Sequence, residues 1–405
     1  MALMLDRFLS GLVVLLLTVG GGGSPPAAAQ TAHQDAQAGQ QFASVLNHEY
    51  VRTQGKRGLD LLYNMRSDSA EVIFDRIDER YPKHPIGPFL QGLNLWWTIM
   101  LDLTDTAHDD EFFDLMNEVI DRSDDLLDQN PDHFDALLFK GAAHGFKARL
   151  ASNRSNWWKS LRNGRKAIGP ARRVAEIAPP ENGDYVFGKG LYDYYTAILE
   201  EEYPVVKTFT WMIPDGNRKR GLRLLRRAAS DGYYVQTEAI YYLTQVNYLY
   251  EEDYSATRQY VRRLRERHPQ NPYFHSFEGR VYARWGRWDQ AREVFKTVAE
   301  QCEAGAPGYN THMEELARYY LGRAHLYDQQ YDQALQHLGR LEELTDRDIE
   351  DPRYRVLGFL YQGMVYDAMG KRDRATQLYR RVLDMEDPIG VHERAERYLQ
   401  DPYSG

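Results

Sequence analysis

Between Asn271 and Val298, small and large apolar residues recur at the spacing of two packed helices. Gly279 and Ala291 stand twelve positions apart, and each is small enough to let antiparallel backbones approach. Tyr282 and Phe295 are large enough to fill the space beside them, and Gly286 lies between the two runs, where a turn is needed. Trp288 and Val298 extend the apolar face of the second run. The period is that of a helix, with none of the strict alternation of a strand. One such helix pair cannot cover its own apolar face, so the pattern predicts neighbouring pairs.

Those neighbours are legible along the chain. Gly58, Leu61, Ala70, Phe74, Ile77 and Pro82 repeat the same offsets, and Gly92 follows Gly58 by 34 residues. A second regularity sets a proline at the end of one pair and a glycine ten residues on: Pro82 and Gly92, Pro131 and Gly141, Pro180 and Gly190, Pro269 and Gly279. Proline lacks an N–H and stops a helix. A glycine two turns into the next helix costs roughly 1 kcal/mol of propensity, so its recurrence asks for a packing reason. Gln245 takes the small slot before Gly279. Gly322 with Ala334 and Leu338 forms the following unit, and Gly363 with Ala375, Tyr379 and Val382 the last. Slots at 58, 92, 141, 190, 245, 279, 322 and 363 predict an all-α solenoid of about eight stacked helix hairpins. The hairpins divide into a divergent helical region over 45–230 and a regular array over 231–400, closed by a capping helix after Pro388.

The spacing is not uniform. Gly92, Gly141 and Gly190 are 49 residues apart, which predicts about fifteen extra residues in each unit, as longer helices or loops, at Leu103–Asp109 in the first and around Ser152–Asn156 in the second. The block from Tyr185 to Ala229 is the least regular. It predicts a helix over Val186–Glu201, an apolar segment over Val205–Trp211, a turn at Pro214–Gly216 and a helix carrying Leu222, Leu224, Leu225 and Ala228.

These offsets resemble the tetratricopeptide repeat, a helix–turn–helix unit of about 34 residues. The resemblance covers most of the chain beyond residue 44 and is most specific in the last third. It implies stacked hairpins, a curved binding surface, and a non-enzymatic role with a protein or peptide partner. A fainter echo lies in the middle block. Gly188, Gly190, Leu191, Pro204, Trp211, Met212, Gly216, Arg218, Gly221 and Leu222 are similar to the centre of a eukaryotic tetratricopeptide family linked to mitochondrial outer membranes and inclusion-body clearance. From that family only architecture and a non-catalytic role carry over. Exported bacterial tetratricopeptide proteins are the nearer general likeness.

Charge narrows the partners. Fifty-nine acidic residues against 50 basic ones give a net charge of -9, which argues against nucleic acid. At the N-terminus, Arg7 precedes an apolar run of 12 residues, Phe8–Val19, shorter than the roughly 20 needed to span a bilayer. Ala27, Ala28 and Ala29 then make a small-residue cleavage site, so 1–29 reads as a signal peptide and 30–44 as a flexible lead-in. No cysteine follows the apolar run, and Cys302 is the sole cysteine, so neither a lipid anchor nor an intrachain disulfide is expected. The expectation is an exported, periplasmic or secreted soluble protein with no transmembrane span in the mature chain.

No phosphate-binding glycine loop, zinc-protease motif, nucleophile elbow or Cys-x-x-Cys pair is present, and no cofactor or metal is expected. His108, Asp109, Asp110 and Glu111 read as a helix start, with acidic residues facing the positive end of the dipole. The basic runs Lys159–Arg173 and Lys219–Arg227 read as solvated helix faces. Positions one and five after each slot glycine point to the inner surface by helical phase. That places Arg280 and Arg284 in one unit and Arg323 and Tyr327 in the next, with Tyr250 matching in the unit before and Tyr242 and Tyr319 a turn earlier. Arginine forks hold carboxylates and tyrosines pack apolar side chains, so this groove would take a peptide bearing acidic groups or a free C-terminus. The alternative is a glycan-binding protein or hydrolase in the middle block, with Trp157, Trp158 and Trp211 stacking on sugar and carboxylates such as Asp193 and Glu201 acting as a pair.

Overall fold

The computed structural model describes residues 44–177, 182–202, 216–346, 352–387 and 389–405. The signal and lead-in, Pro180, the segment Val205–Trp211, most of the turn at Pro214–Gly216, and Pro388 lie outside these residues. Seventeen α-helices and one short 3-10 helix make up the regular structure of the described residues, which contain no strand. The all-α solenoid of helix hairpins is therefore the observed fold. The helices form two compact units, one of residues up to 99 with 106–252, the other of 100–105 with 253–405.

In the N-terminal unit four hairpins precede one further helix. They pair α1 (Glu49–Tyr63) with α2 (Ser67–Arg80), α3 (Ile86–Ile99) with α4 (Asp109–Gln129), α5 (Phe134–Asn153) with α6 (Trp157–Ile177), and α7 (Tyr185–Glu202) with α8 (Arg218–Asp231). Helix α9 (Gln236–Leu249) follows. The slot glycines sit where each hairpin closes. A Cβ on Gly58 would lie 2.3 Å from the Phe74 ring, and one on Gly92 2.2 Å from the Met116 methyl. Gly141 rests against Pro170 and Ala171 of α6, and Gly190 against Leu225 of α8. Each backbone needs the space that a side chain would take. The loop at 103–108 appears as expected, but Ser152–Asn156 is only a tight junction. The extra residues of that unit instead lengthen α5 and α6 to 20 and 21 residues.

The N-terminal unit winds back on itself. Tyr234 donates its hydroxyl to the Leu46 carbonyl at 2.7 Å, and the Arg52 guanidinium covers the Tyr233 ring at 4.2 Å. Buried Asp135 on α5 fixes the first described residues, accepting from Ser44 Oγ at 2.6 Å and from the Val45 N–H at 2.7 Å. The concave interior of this winding encloses a cavity of about 470 Å³.

The C-terminal unit holds α10 (Tyr254–Arg267) and three hairpins. These are α11 (Pro272–Arg284) with α12 (Trp288–Glu303), α13 (Thr311–Tyr327) with α14 (Tyr331–Thr345), and α15 (Arg353–Ala368) with α16 (Arg372–Leu383). Helix α11 starts as its sequence dictates, with Asn271 accepting from the Phe274 N–H at 3.1 Å and Pro272 in the first turn. Gly286 and Gly370 end hairpin first helices with φ of +75° and +72°, angles that favour glycine. Helix α17 (His392–Gln400) supplies the capping helix, its Tyr398 ring packed on Tyr379.

His275 gives this unit an acid limit. It is buried on α11 with Nδ1 2.8 Å from the Tyr309 hydroxyl. Burial, aided by the Arg265 charge, pushes its pKa down from 6.5 to about 3. The unfolded chain therefore takes up this proton below about pH 6.5, while the folded chain refuses it until about pH 3. His275 contributes no penalty above the unfolded value and costs roughly 3 kcal/mol near pH 4.5. His275→Gln should flatten the fall in urea stability between about pH 6.5 and about pH 4.5, and a curve parallel to wild type would contradict this assignment.

Candidate functional site

In the C-terminal unit, Tyr319, Arg323 and Tyr327 follow each other up one face of α13. Arg323 Nη1 donates to the Tyr319 hydroxyl at 2.9 Å and Nη2 to the Tyr327 hydroxyl at 3.4 Å. Its guanidinium lies 4.9 Å from the Trp288 ring centre, 5.2 Å from that of Tyr361 and 5.7 Å from that of Tyr320. A second guanidinium reaches Tyr361 from α17, that of Arg394, 5.3 Å from the ring centre with Nη2 3.5 Å from the hydroxyl. The two positive charges outweigh burial, which by itself would raise the Tyr361 pKa, and hold the phenol below its ordinary value.

What distinguishes this cluster is its charge. Arg318 pairs with Glu303 and Glu314, Arg340 with Glu314, and Arg372 with Asp367. Arg323 and Arg394 make no carboxylate pair among the described residues, and Arg323 Nε is buried without a hydrogen-bond partner. Two half-buried cations held by aromatic faces and phenols, with Tyr327 40% exposed at the edge, form a cationic aromatic cluster. Arg284 and Arg280 lie on α11, where Arg284 Nε donates to the Tyr254 hydroxyl at 3.1 Å and Arg280 sits over the Phe277 ring.

Tyr242 and Tyr250 belong to the N-terminal unit. Tyr242 is buried, packs on Tyr195 and Phe187, and accepts from Arg149 Nη1 at 2.8 Å. Tyr250 packs edge-on against Tyr194 and Tyr195. Arg149 also donates to the Tyr241 hydroxyl at 2.9 Å and lies over Trp96. Beside it, Glu238 Oε1 accepts from the Tyr63 hydroxyl at 3.2 Å and from Trp97 Nε1 at 3.3 Å. Burial raises the Glu238 pKa, and Arg149 opposes the rise. Tyr63, Arg149, Glu238 and Tyr242 form one polar pole of a cavity whose wall is mostly carbon, including Leu59, Phe89, Leu93, Leu138 and Phe146.

The other sequence candidates are engaged elsewhere. Asp193 is buried and clamped by Arg220 at 2.5 Å from both nitrogens, while Glu201 pairs with Arg218 at 2.7 Å. The two carboxylates are thus tied to separate arginines. Trp158 is 83% exposed on α6, and Trp211 lies outside the described residues. His108 to Glu111 opens α4, and Arg154 grips Asp109 with two bonds of 2.7 Å. In the basic runs, Arg173 pairs with Asp132 and Arg220 with Asp193. Among the described residues no group of His, Cys, Asp or Glu is placed to hold a metal ion, and no helix is long and apolar enough to cross a membrane. The structure brings Arg323 together with Tyr319 and Tyr327, as helical phase predicts, and adds Trp288, Tyr361 and Arg394 to that cluster and Arg149 and Glu238 to the cavity wall, none of which the sequence pattern singles out as a site residue.

Comparison with known proteins places tetratricopeptide repeats in this chain. Family models described as tetratricopeptide repeat match residues 246–307 and 358–385. No curated protein matches. Among solved structures, the chain is similar to the human IFIT1 dimer with PPP-AAAA, at 13% identity and a TM-score of 0.37 over 79% of this chain and 69% of that one. It is also similar to the APC/C hetero-tetramer Cut9-Hcn1, at 12% identity and a TM-score of 0.31 over 91% and 86% of the two chains.

Proposed function

We propose that this repeat-bearing chain is a non-enzymatic scaffold of the bacterial cell envelope that captures a partner protein by an acidic segment or free C-terminus. The observation that carries the reading is the pair Arg323 and Arg394, two cations converging on Tyr361 with no carboxylate of their own among the described residues. A carboxylate entering there gains charge-assisted bonds, and apolar side chains beside it find Trp288 and Tyr327. Arg280 and Arg284 extend the cationic character along α11. The N-terminal apolar run and small-residue site support export, and the repeats support a protein partner.

The test is fluorescence anisotropy with labelled acidic peptides carrying either a free or an amidated C-terminus. Losing charge-assisted bonds in Arg323→Ala, or in the Arg280→Ala and Arg323→Ala double variant, should weaken the best peptide roughly ten- to a hundredfold. Ionisation of Tyr361 would supply an internal anion to both guanidiniums. Binding should therefore weaken as pH rises through the alkaline range, and Tyr361→Phe should remove that dependence. Undiminished binding by the double variant rejects the groove.

A further inference from the structure

The cavity of the N-terminal unit has no part in capturing an acidic peptide, yet it is a built site. Its volume of about 470 Å³ falls in the range of small-molecule pockets, roughly 300–1,000 Å³. Seven of the nine helices of this unit contribute to its wall, so it is a property of the closed winding and not of one helix face. The inner surface of a helical solenoid left to water should be polar. Here leucines, phenylalanines and valines dominate it.

Polar chemistry is concentrated at one pole. Glu238 Oε1 takes the bonds from Tyr63 and Trp97, which leaves its second oxygen able to accept from a ligand. Arg149, which donates to the hydroxyls of Tyr241 and Tyr242, lines the same wall. A carboxyl and a guanidinium therefore share this pole of the wall, and each acts on the other. An anionic head brought here would meet Glu238, and a cationic head would meet Arg149. A small uncharged head can donate to one and accept from the other. Asp184, also in the wall, is occupied by the N–H groups of Tyr234 and Val235 at 2.8 and 3.0 Å, and Arg227 is drawn to Asp231. Lys189 borders the cavity but is exposed, where water screens its charge.

We infer that the N-terminal unit binds an uncharged amphiphile, a hydrocarbon body ending in one hydroxyl or amide group, with the head at Glu238 and Arg149 and the body along the leucine and phenylalanine walls. The site is independent of the Arg323 cluster, and either can fail without the other.

The experiment uses the full mature chain and the neutral fluorophore N-phenyl-1-naphthylamine, displaced in turn by 1-decanol, decanoate and decylamine. Saturable fluorophore binding is expected, with decanol displacing it at roughly tenfold lower concentration than either charged analogue. Ala142 lines the cavity on α5, so Ala142→Phe should fill it and weaken fluorophore binding at least roughly tenfold. Circular dichroism and the melting temperature report whether that variant folds. Glu238→Gln keeps the shape but removes the carboxylate that an anionic head would meet, and decanoate should then gain roughly tenfold while decanol changes little. Three results would each overturn the inference: no saturable binding to wild type, equal or better displacement by decanoate, or unchanged decanoate selectivity in Glu238→Gln.

Discussion

Gly221→Ala is expected to destabilise the N-terminal unit by about 3 kcal/mol, the upper end for overpacking, although alanine is the better helix former. The added Cβ would lie 2.5 Å from the Tyr194 backbone nitrogen and 2.8 Å from its Cα. Backbone of α7 cannot step aside as a side-chain tip can, so the two helices must separate and lose contact along their length. Gly279→Ala meets a softer obstacle, the Phe295 ring at 2.7 Å, but Tyr320 stacks on that ring at 4.4 Å and blocks its retreat. Its cost should be about 1–2 kcal/mol, and Phe295→Leu should recover part of it. Gly339 on α14 is the control, with nothing within 4 Å of a new Cβ. There alanine gains helix propensity at no steric cost, and Gly339→Ala should stabilise by about 0.5–1 kcal/mol. Melting temperatures of the three variants should fall in the order Gly339, Gly279, Gly221, from highest to lowest. A Gly221→Ala protein that melts with the wild type would mean that α7 and α8 do not meet there.

That contrast also shows why the architecture could be read before any coordinates. A slot glycine and its covering ring lie sixteen residues apart, and helical phase relates such positions directly, as for Gly58 with Phe74 and Gly279 with Phe295. Arg323 and Tyr319 were within reach of the same arithmetic because they share α13. Trp288, Tyr361 and Arg394 come from three other helices, and their convergence depends on how successive hairpins stack. Arg149 and Glu238 are farther apart still, brought together only by the closure of the N-terminal winding. Helical phase sets Tyr242 on the inner face of its helix, but not its partners there, which are Arg149 and Tyr195, because the phase of one helix does not say what surface lies opposite. The extra residues of α5 and α6, expected as longer helices or loops, lie in the helices and not around Ser152–Asn156, because a solvated helix face and a polar loop have the same composition.

The loss of Asp367 should be felt at the far end of the C-terminal unit. Its buried carboxylate accepts from Arg372 Nη1 at 2.9 and 3.0 Å, from the Tyr379 hydroxyl at 2.9 Å and from the Tyr403 N–H at 3.1 Å. Arg372 in turn donates to the Leu399 carbonyl at 2.6 Å. One carboxylate thus joins α15, α16 and the segment after α17. Burial, then the hydrogen bond to Asp367, hold the Tyr379 phenol protonated well above its ordinary range. Asp367→Ala strands a partly buried guanidinium and a buried hydroxyl together, at about 3–5 kcal/mol for breaking a buried pair. A double-mutant cycle with Arg372→Met separates the two contributions. If the stranded charge dominates, the double variant should be more stable than Asp367→Ala alone, because the cation leaves with its anion. Limited proteolysis gives the local readout. Cleavage should appear first within residues 392–403, where the cap is tied down through this network, while the hairpin of α11 and α12 stays protected. Equal exposure of both regions would mean that the unit unfolds as one body and that Asp367 does not set the stability of its end.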